Sequence, residues 1–130
     1  MSVCANPEID INNEKGLILT RVTDYNSRSG KIYLLVMDKS QRIIAKTDLA
    51  EYYDEAGSQT YFSSTQISNN EFLQISNNSN IKTADKPDAD GVNTVLGTEH
   101  IKVTQKLKFE NNHFTITKID STYSLEKATN

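Results

Sequence analysis

The chain has 130 residues, of which 36% are hydrophobic and 24% are charged, and its formal net charge is −3 at pH 7. A chain of this length fits one domain with one hydrophobic core. The acidic balance argues against a broad basic surface of the kind that binds nucleic acid. No apolar run approaches the roughly 20 residues that a membrane-spanning helix needs, and the single cysteine, Cys4, excludes a disulfide within the chain.

The first 15 residues are polar, and we predict that they form a lead-in to a single all-β domain at residues 16–130. Within the lead-in, Val3-Cys4-Ala5 has the small-residue pattern that precedes a signal-peptidase site, with cleavage after Ala5. The charged and apolar regions that usually come before such a site do not precede it here. We expect a mature protein that is periplasmic or secreted, with a plain disordered N-terminus as the alternative.

The first hairpin of the domain is predicted from its apolar content. Residues 17–22 favour a strand, and residues 23–30 have the composition of a loop. Residues 31–37 form the most apolar run of the chain, and its length is typical of a central strand buried on both faces. A polar turn at residues 38–41 then leads into a return strand at residues 42–46.

The segment at residues 47–58 breaks the strand pattern. Asp48 is followed three places later by Glu51, which is the pattern of a helix N-terminus, and Gly57 is a suitable residue for the helix end. We therefore predict one to two helical turns in this segment.

A further hairpin is followed by a long polar segment. Residues 59–67 and 71–75 are predicted strands on either side of a turn at residues 68–70. Residues 76–99 are polar and low in aromatic residues, so we predict a long loop. Loops of this length inside a compact domain are usually functional or disordered.

The clearest hairpin of the chain lies at residues 101–119. Apolar side chains alternate with polar ones from Ile101 to Phe109, apart from Gln105, which predicts a half-buried strand. The polar positions form a predicted solvent-exposed face: Lys102, Thr104, Lys106 and Lys108. The turn at residues 110–113 contains Asn111 and Asn112, and asparagine tolerates the positive φ of a tight hairpin.

These hairpins recur around residues 39, 69 and 111, which indicates a loose strand-turn-strand repeat. The predicted fold is an all-β antiparallel meander of about seven or eight strands with at most one short helix. Two arrangements are compatible with it: one strongly twisted sheet resembling half of a β-propeller, or a small sandwich or open barrel.

No residue pattern predicts catalysis, a metal or a cofactor. Residues 85–91 have acidic residues at calcium-loop spacing, but the first ligand position would be Lys86 and the twelfth Gly97, neither of which supplies a side-chain oxygen. His100 and His113 lie at opposite ends of the predicted hairpin strand, too far apart to share a metal. Nucleophile-elbow, phosphate-loop and zinc-protease motifs are not present.

Two segments are candidates for binding a partner protein. The first combines large aromatic rings with carboxylates: Tyr52, Tyr53, Asp54 and Glu55. Tyrosine is common in binding hot spots because its ring buries a large area at a small entropic cost. The second, in the predicted long loop, combines carboxylates with apolar side chains: Asp88, Asp90, Val92 and Leu96. The alternative for both is structural, with one tyrosine packed on the sheet and the loop held to the domain by its apolar side chains.

Residues 107–123 carry a resemblance to a known class of proteins. They read as a strand with Lys-Phe-Glu-Asn-Asn-His-Phe, a return strand, and Ile-Asp-Ser-Thr-Tyr. Together with the spacing of the hairpins along the chain, this run resembles small exported bacterial proteins of half-propeller type. Some of these are immunity proteins against secreted antibacterial effectors, including cell-wall amidases. The resemblance implies a periplasmic inhibitor in bacterial antagonism, as in type VI secretion, which plugs the active-site cleft of a toxin with a loop.

Two other classes of function remain alternatives to this protein-binding inhibitor. An exported ligand-binding or adhesion module would use the twisted sheet as a platform for glycan or peptide. A small enzyme would need a deep cleft lined with convergent carboxylates. A row of aromatic rings on an open face would favour the glycan binder, and a protruding loop would favour the inhibitor.

Overall fold

A computed structural model describes residues 7–24, 29–55 and 57–128 and shows one sheet of eight antiparallel strands. In chain order the strands are β1 (Glu8–Ile11), β2 (Glu14–Asp24), β3 (Ser29–Met37), β4 (Ile43–Glu55), β5 (Ser58–Ser68), β6 (Glu71–Thr83), β7 (Val95–Glu110) and β8 (His113–Lys127). Each strand pairs with the next one, and β1 and β8 are the two edges of an open sheet. The prediction of an all-β meander is confirmed. The described residues form no helix, and therefore none that could cross a membrane.

Four hairpin turns lie at one end of the sheet, because consecutive strands of a meander run in opposite directions. They are the turns at residues 12–13, 38–42, 69–70 and 111–112. Asn111 and Asn112 have φ values of 54° and 63°, so asparagine plays the predicted role in the β7–β8 turn. The β1–β2 turn uses Asn12 and Asn13 in the same way, with φ values of 51° and 66°.

The predicted helix at residues 48–57 is wrong, because most of this segment belongs to β4. The register of β4 against β3 shifts between the Ile32–Ala50 and Tyr33–Asp48 pairs, which places a bulge at Leu49. Beyond the bulge, β4 pairs with β5. The helix-capping pattern is a local preference of about 1 kcal/mol, and pairing with two neighbouring strands outweighs it.

The predicted long loop at residues 76–99 is also wrong in its extent. β6 continues to Thr83 and β7 begins at Val95, so the connecting loop covers residues 84–94. The polar residues of β6 pair through their backbone on both sides, which is independent of side-chain polarity. At the other end of the chain, β1 lies within the segment that the sequence assigns to a lead-in and pairs with the start of β2.

The sheet divides into two halves where β4 and β5 separate. Among the described residues, β4 pairs with β5 from Glu51 to Glu55 alone, and the rest of the two strands diverge. We call β1–β4 the first half and β5–β8 the second half. The outer strands of the two halves are in contact. Gln66 Nε2 of β5 donates to Asp10 O of β1 at 3.1 Å, and β4 contacts β8.

The two halves pack against each other through opposite faces of the sheet. Residues directly paired across antiparallel strands point to the same face. One such row crosses five strands: Gly30, Tyr52, Tyr61, Asn77 and Lys102. Leu34 lies an even number of residues from Gly30 and shares this face, whereas Leu107 lies an odd number from Lys102 and does not.

Both leucines nevertheless belong to one buried cluster. Its members come from both halves of the sheet: Ile11, Leu34, Val36, Leu49, Phe72, Leu107 and Phe109. The halves therefore stack face to back, with β1 near β5 and β4 near β8, in the manner of two neighbouring propeller blades. Residues 31–37 contribute Leu34 and Val36 to this core, while the opposite face of β3 is half-buried, so the expectation of burial on both faces is wrong.

Candidate functional site

The first predicted binding segment is split between the two faces of β4. Tyr52 is 42% exposed, and its hydroxyl donates to Asp54 Oδ2 at 3.5 Å. Tyr53, the next residue of the strand, is half-buried on the opposite face. The Glu55 side chain lies outside the described residues. The four residues therefore do not form one surface.

The second predicted segment lies in and beside the β6–β7 loop, where Asp88 organises the backbone. Its Oδ1 accepts hydrogen bonds from the N–H of Asp90 at 2.9 Å and of Val92 at 3.0 Å. Gly91 closes this turn with a φ of 78°. Asp90 is exposed, as are Val92 and Leu96. Asp88 thus holds the loop in shape, and the other three side chains are accessible.

The two predicted segments lie at the same end of the sheet but are separated by β5 and the end of β6. Gly57, in the β4–β5 turn, accepts a hydrogen bond from the Ile81 N–H at 3.0 Å, so this turn is fixed against β6. The β6–β7 loop starts three residues after Ile81. A partner that contacts both segments must therefore span this end of the sheet.

A groove opens where β4 and β5 separate, and it has a volume of about 610 Å³. Tyr52 and Tyr61 are directly paired at its rim and are 42% and 51% exposed. The lining beneath them includes apolar side chains, namely Ile18, Ile32, Leu49, Ala50 and Phe62, together with hydroxyl-bearing and charged ones. We call this region the tyrosine groove. Sequence reasoning included Tyr52 but missed Tyr61, because the pairing between them depends on a register that no local pattern encodes.

Lys31 and Glu51 belong to the lining of the tyrosine groove, and Asp48 pairs with the same lysine. The Lys31 Nζ is 3.4 Å from Asp48 Oδ2 and 3.8 Å from Glu51 Oε2. Burial acts to lower the pKa of Lys31, but the carboxylates of Asp48 and Glu51 outweigh it and raise that pKa above its usual value. The lysine therefore stays charged and paired, and the groove offers a partner mainly apolar and aromatic contacts.

A serine, a histidine and a glutamate are in contact in the second half of the sheet, on β6, β7 and β8. His100 Nδ1 is 2.9 Å from Ser79 Oγ, and His100 Nε2 is 3.2 Å from Glu126 Oε2. A catalytic triad has these residue types, but it also needs donors for an oxyanion. Ser79 is directly opposite both Gln59 and His100, so the surrounding backbone is engaged in the sheet. The three side chains link β6, β7 and β8.

His113 is the first residue of β8 and pairs with Glu110, ten residues along β7 from His100, and its Nδ1 is 3.0 Å from Asn111 O. In the part of the chain that the structure describes, no group of three His, Cys, Asp or Glu residues is arranged to hold a metal ion.

Comparison with known proteins finds no relative of this chain. No family model matches the chain, and no curated protein or solved structure is significantly similar to it.

Proposed function

We propose that this protein is a non-catalytic protein-binding module, and specifically a periplasmic immunity protein that neutralises a secreted antibacterial effector of the cell-wall hydrolase class. The class of effector and the location come from the resemblance carried by residues 107–123. The observation that supports protein binding most directly is the tyrosine groove.

The tyrosine groove has the chemistry of a protein-binding hot spot. Its apolar base gains free energy when a partner side chain displaces water, and Tyr52 and Tyr61 offer large amphipathic rings on paired strands. Because the strands already restrict the two rings, binding costs little additional entropy. A volume of about 610 Å³ accommodates one or two large side chains of a partner protein.

The β6–β7 loop supplies a second contact in this proposal. Asp88 holds the loop in a defined shape, which leaves Asp90 and Val92 accessible at its tip. Many cell-wall-degrading effectors are basic, so an exposed carboxylate and the net charge of −3 would speed the encounter. The loop then covers the active-site cleft of the effector while the groove anchors the complex.

The proposal is tested by a pull-down with the tagged protein from envelope and secreted fractions of the source organism, read by mass spectrometry. A stoichiometric basic hydrolase among the captured proteins supports it. Retention on cell-wall or glycan material without a protein partner contradicts it and favours the ligand-binding module.

Point variants then test whether the groove is the site. Tyr61→Ala is expected to weaken the complex at least tenfold, which corresponds to about 1.4 kcal/mol. Tyr123→Ala is the matched control, because Tyr123 is a similarly exposed tyrosine on β8. Asp90→Lys tests the loop without disturbing the hydrogen bonds of Asp88. Equal affinity of the Tyr61 and Tyr123 variants would remove the groove from the interface.

A further inference from the structure

We propose that a second cavity, which is lined from the face of β5 opposite to Tyr61, binds one unit of a neutral saccharide. The cavity has a volume of about 250 Å³. Its lining combines one aromatic ring with neutral amides and hydroxyls: Thr60, Phe62, Gln74, Ser76, Asn78 and Gln105. We call it the amide cavity. This proposal goes beyond the proposed function and does not depend on it.

The register of three adjacent strands brings the lining residues together. Thr60 of β5 is directly opposite Asn78 of β6, and Phe62 is opposite Ser76. Gln74 of β6 is opposite Gln105 of β7. All these residues lie on the face of the second half that also carries Phe72 and Leu107. The cavity is therefore built on paired strands, which hold binding groups more precisely than a loop does.

A chain of hydrogen bonds fixes the inner wall of the amide cavity. Gln74 is 4% exposed, and its Nε2 donates to Asp48 O at 2.9 Å and to Ser64 Oγ at 3.0 Å. Its Oε1 accepts a hydrogen bond from Gln105 Nε2 at 2.8 Å. Gln105 is thus oriented by a buried amide, and it retains its carbonyl oxygen and one N–H for a ligand.

The chemistry of the lining selects a neutral ligand with many hydroxyl groups. None of the described residues that line the amide cavity has an ionisable side chain. A charged ligand would lose its hydration without a compensating charge, which is costly. Amides and hydroxyls each donate and accept hydrogen bonds, as sugar hydroxyls require, and the face of Phe62 can pack against the apolar C–H side of a sugar ring. The volume suits a single ring.

The test is an NMR titration of the full chain with glucose and N-acetylglucosamine as neutral probes and glucuronate as the charged probe. We expect saturable amide shifts at the lining residues of β5, β6 and β7 with a neutral probe, and weaker binding of glucuronate. No saturable shift with either neutral sugar, or equal binding of glucuronate, would overturn the proposal.

Paired variants of one strand separate binding from folding. Asn78→Ala removes an amide from the cavity and is expected to weaken binding about tenfold. Asn77→Ala is its control, because Asn77 is exposed on the opposite face of β6. Phe62→Leu keeps an apolar side chain but removes the ring, and it should also weaken binding of the sugar. Because Phe62 lines both cavities, the Asn77 and Asn78 variants distinguish the amide cavity from the tyrosine groove. Equal affinities of the Asn77 and Asn78 variants would contradict the site, while leaving the pull-down result for the tyrosine groove unaffected.

Discussion

Leu34 and Leu107 pack in the same buried cluster although they stand on opposite faces of one continuous sheet. A sheet that simply curls over would bury residues of a single face. Here the short pairing between β4 and β5, with the bulge at Leu49, lets the second half stack behind the first. The same divergence opens the tyrosine groove, so the core and the candidate site have a common structural cause.

Leu107 and Ile116 test the position of this core, because they are directly paired across β7 and β8 but differ in burial. Leu107 is 1% exposed and Ile116 is 62% exposed. Leu107→Ala should lower the free energy of unfolding by about 2–5 kcal/mol through lost burial and a cavity. Ile116→Ala should change it by about 0.5 kcal/mol or less. Urea denaturation of both variants gives the comparison, and equal losses would place the core elsewhere.

Substitution of Gly97 tests how closely β7 approaches the end of β8. A Cβ at this position would collide with the backbone carbonyl of Glu126. Gly97→Ala should therefore push the strands apart and cost about 1–3 kcal/mol, with faster hydrogen exchange of the amides near Lys127. Gly30→Ala is the control, because the nearest atom to its added Cβ would be 3.8 Å away. Unchanged exchange near Lys127 in the Gly97 variant would contradict the close approach.

Asn112 tests the backbone of the β7–β8 turn. Its φ of 63° is left-handed, a conformation that glycine adopts freely and alanine does not. Asn112→Ala should lower the free energy of unfolding by about 1 kcal/mol, and Asn112→Gly should leave it equal or slightly higher. Thermal denaturation of the two variants distinguishes them. A glycine variant as unstable as the alanine variant would show that the asparagine side chain itself matters.

The Asp38 carboxylate makes the stability of the β3–β4 turn depend on pH. Its carboxylate accepts from the N–H of Arg42 at 3.0 Å and of Ser40 at 2.9 Å. The Arg42 N–H is the main cause that lowers the pKa of Asp38 below its usual value, and it outweighs burial. The stability that this adds is complete above the usual aspartate pKa of about 3.9 and is lost as the pH falls through the lower folded-state pKa.

The Asp38→Asn variant should therefore be less stable than the wild type at neutral pH, and the difference should shrink below about pH 4. Denaturation curves recorded across this range measure it, with Asp85→Asn in the exposed β6–β7 loop as the control. A difference that stays constant down to the lowest pH would show that the carboxylate charge is not involved.

Local patterns predicted most of the hairpins but not the two candidate sites. Alternating side chains from Ile101 to Phe109 and the Asn111-Asn112 turn predicted the β7–β8 hairpin, because both features act over a few residues. The sequence points to the groove through Tyr52 alone, and it predicts a strand at Tyr61 without indicating a role for its side chain. The amide cavity was missed because its residues come from three strands, and cross-strand neighbours are set by register.

Local sequence patterns predict the all-β class, the antiparallel meander and the positions of three of its turns, since side-chain alternation and asparagine turns are local properties. The capping pattern at Asp48 predicts a helix where the structure has a strand, and the polar composition at the end of β6 predicts a loop where the strand continues. No local pattern predicts the stacking of the two halves, the bulge at Leu49 or the pairing of Tyr52 with Tyr61. These depend on which distant strands meet, and the free energy of burying the cluster that contains Leu34 and Leu107 outweighs local preference.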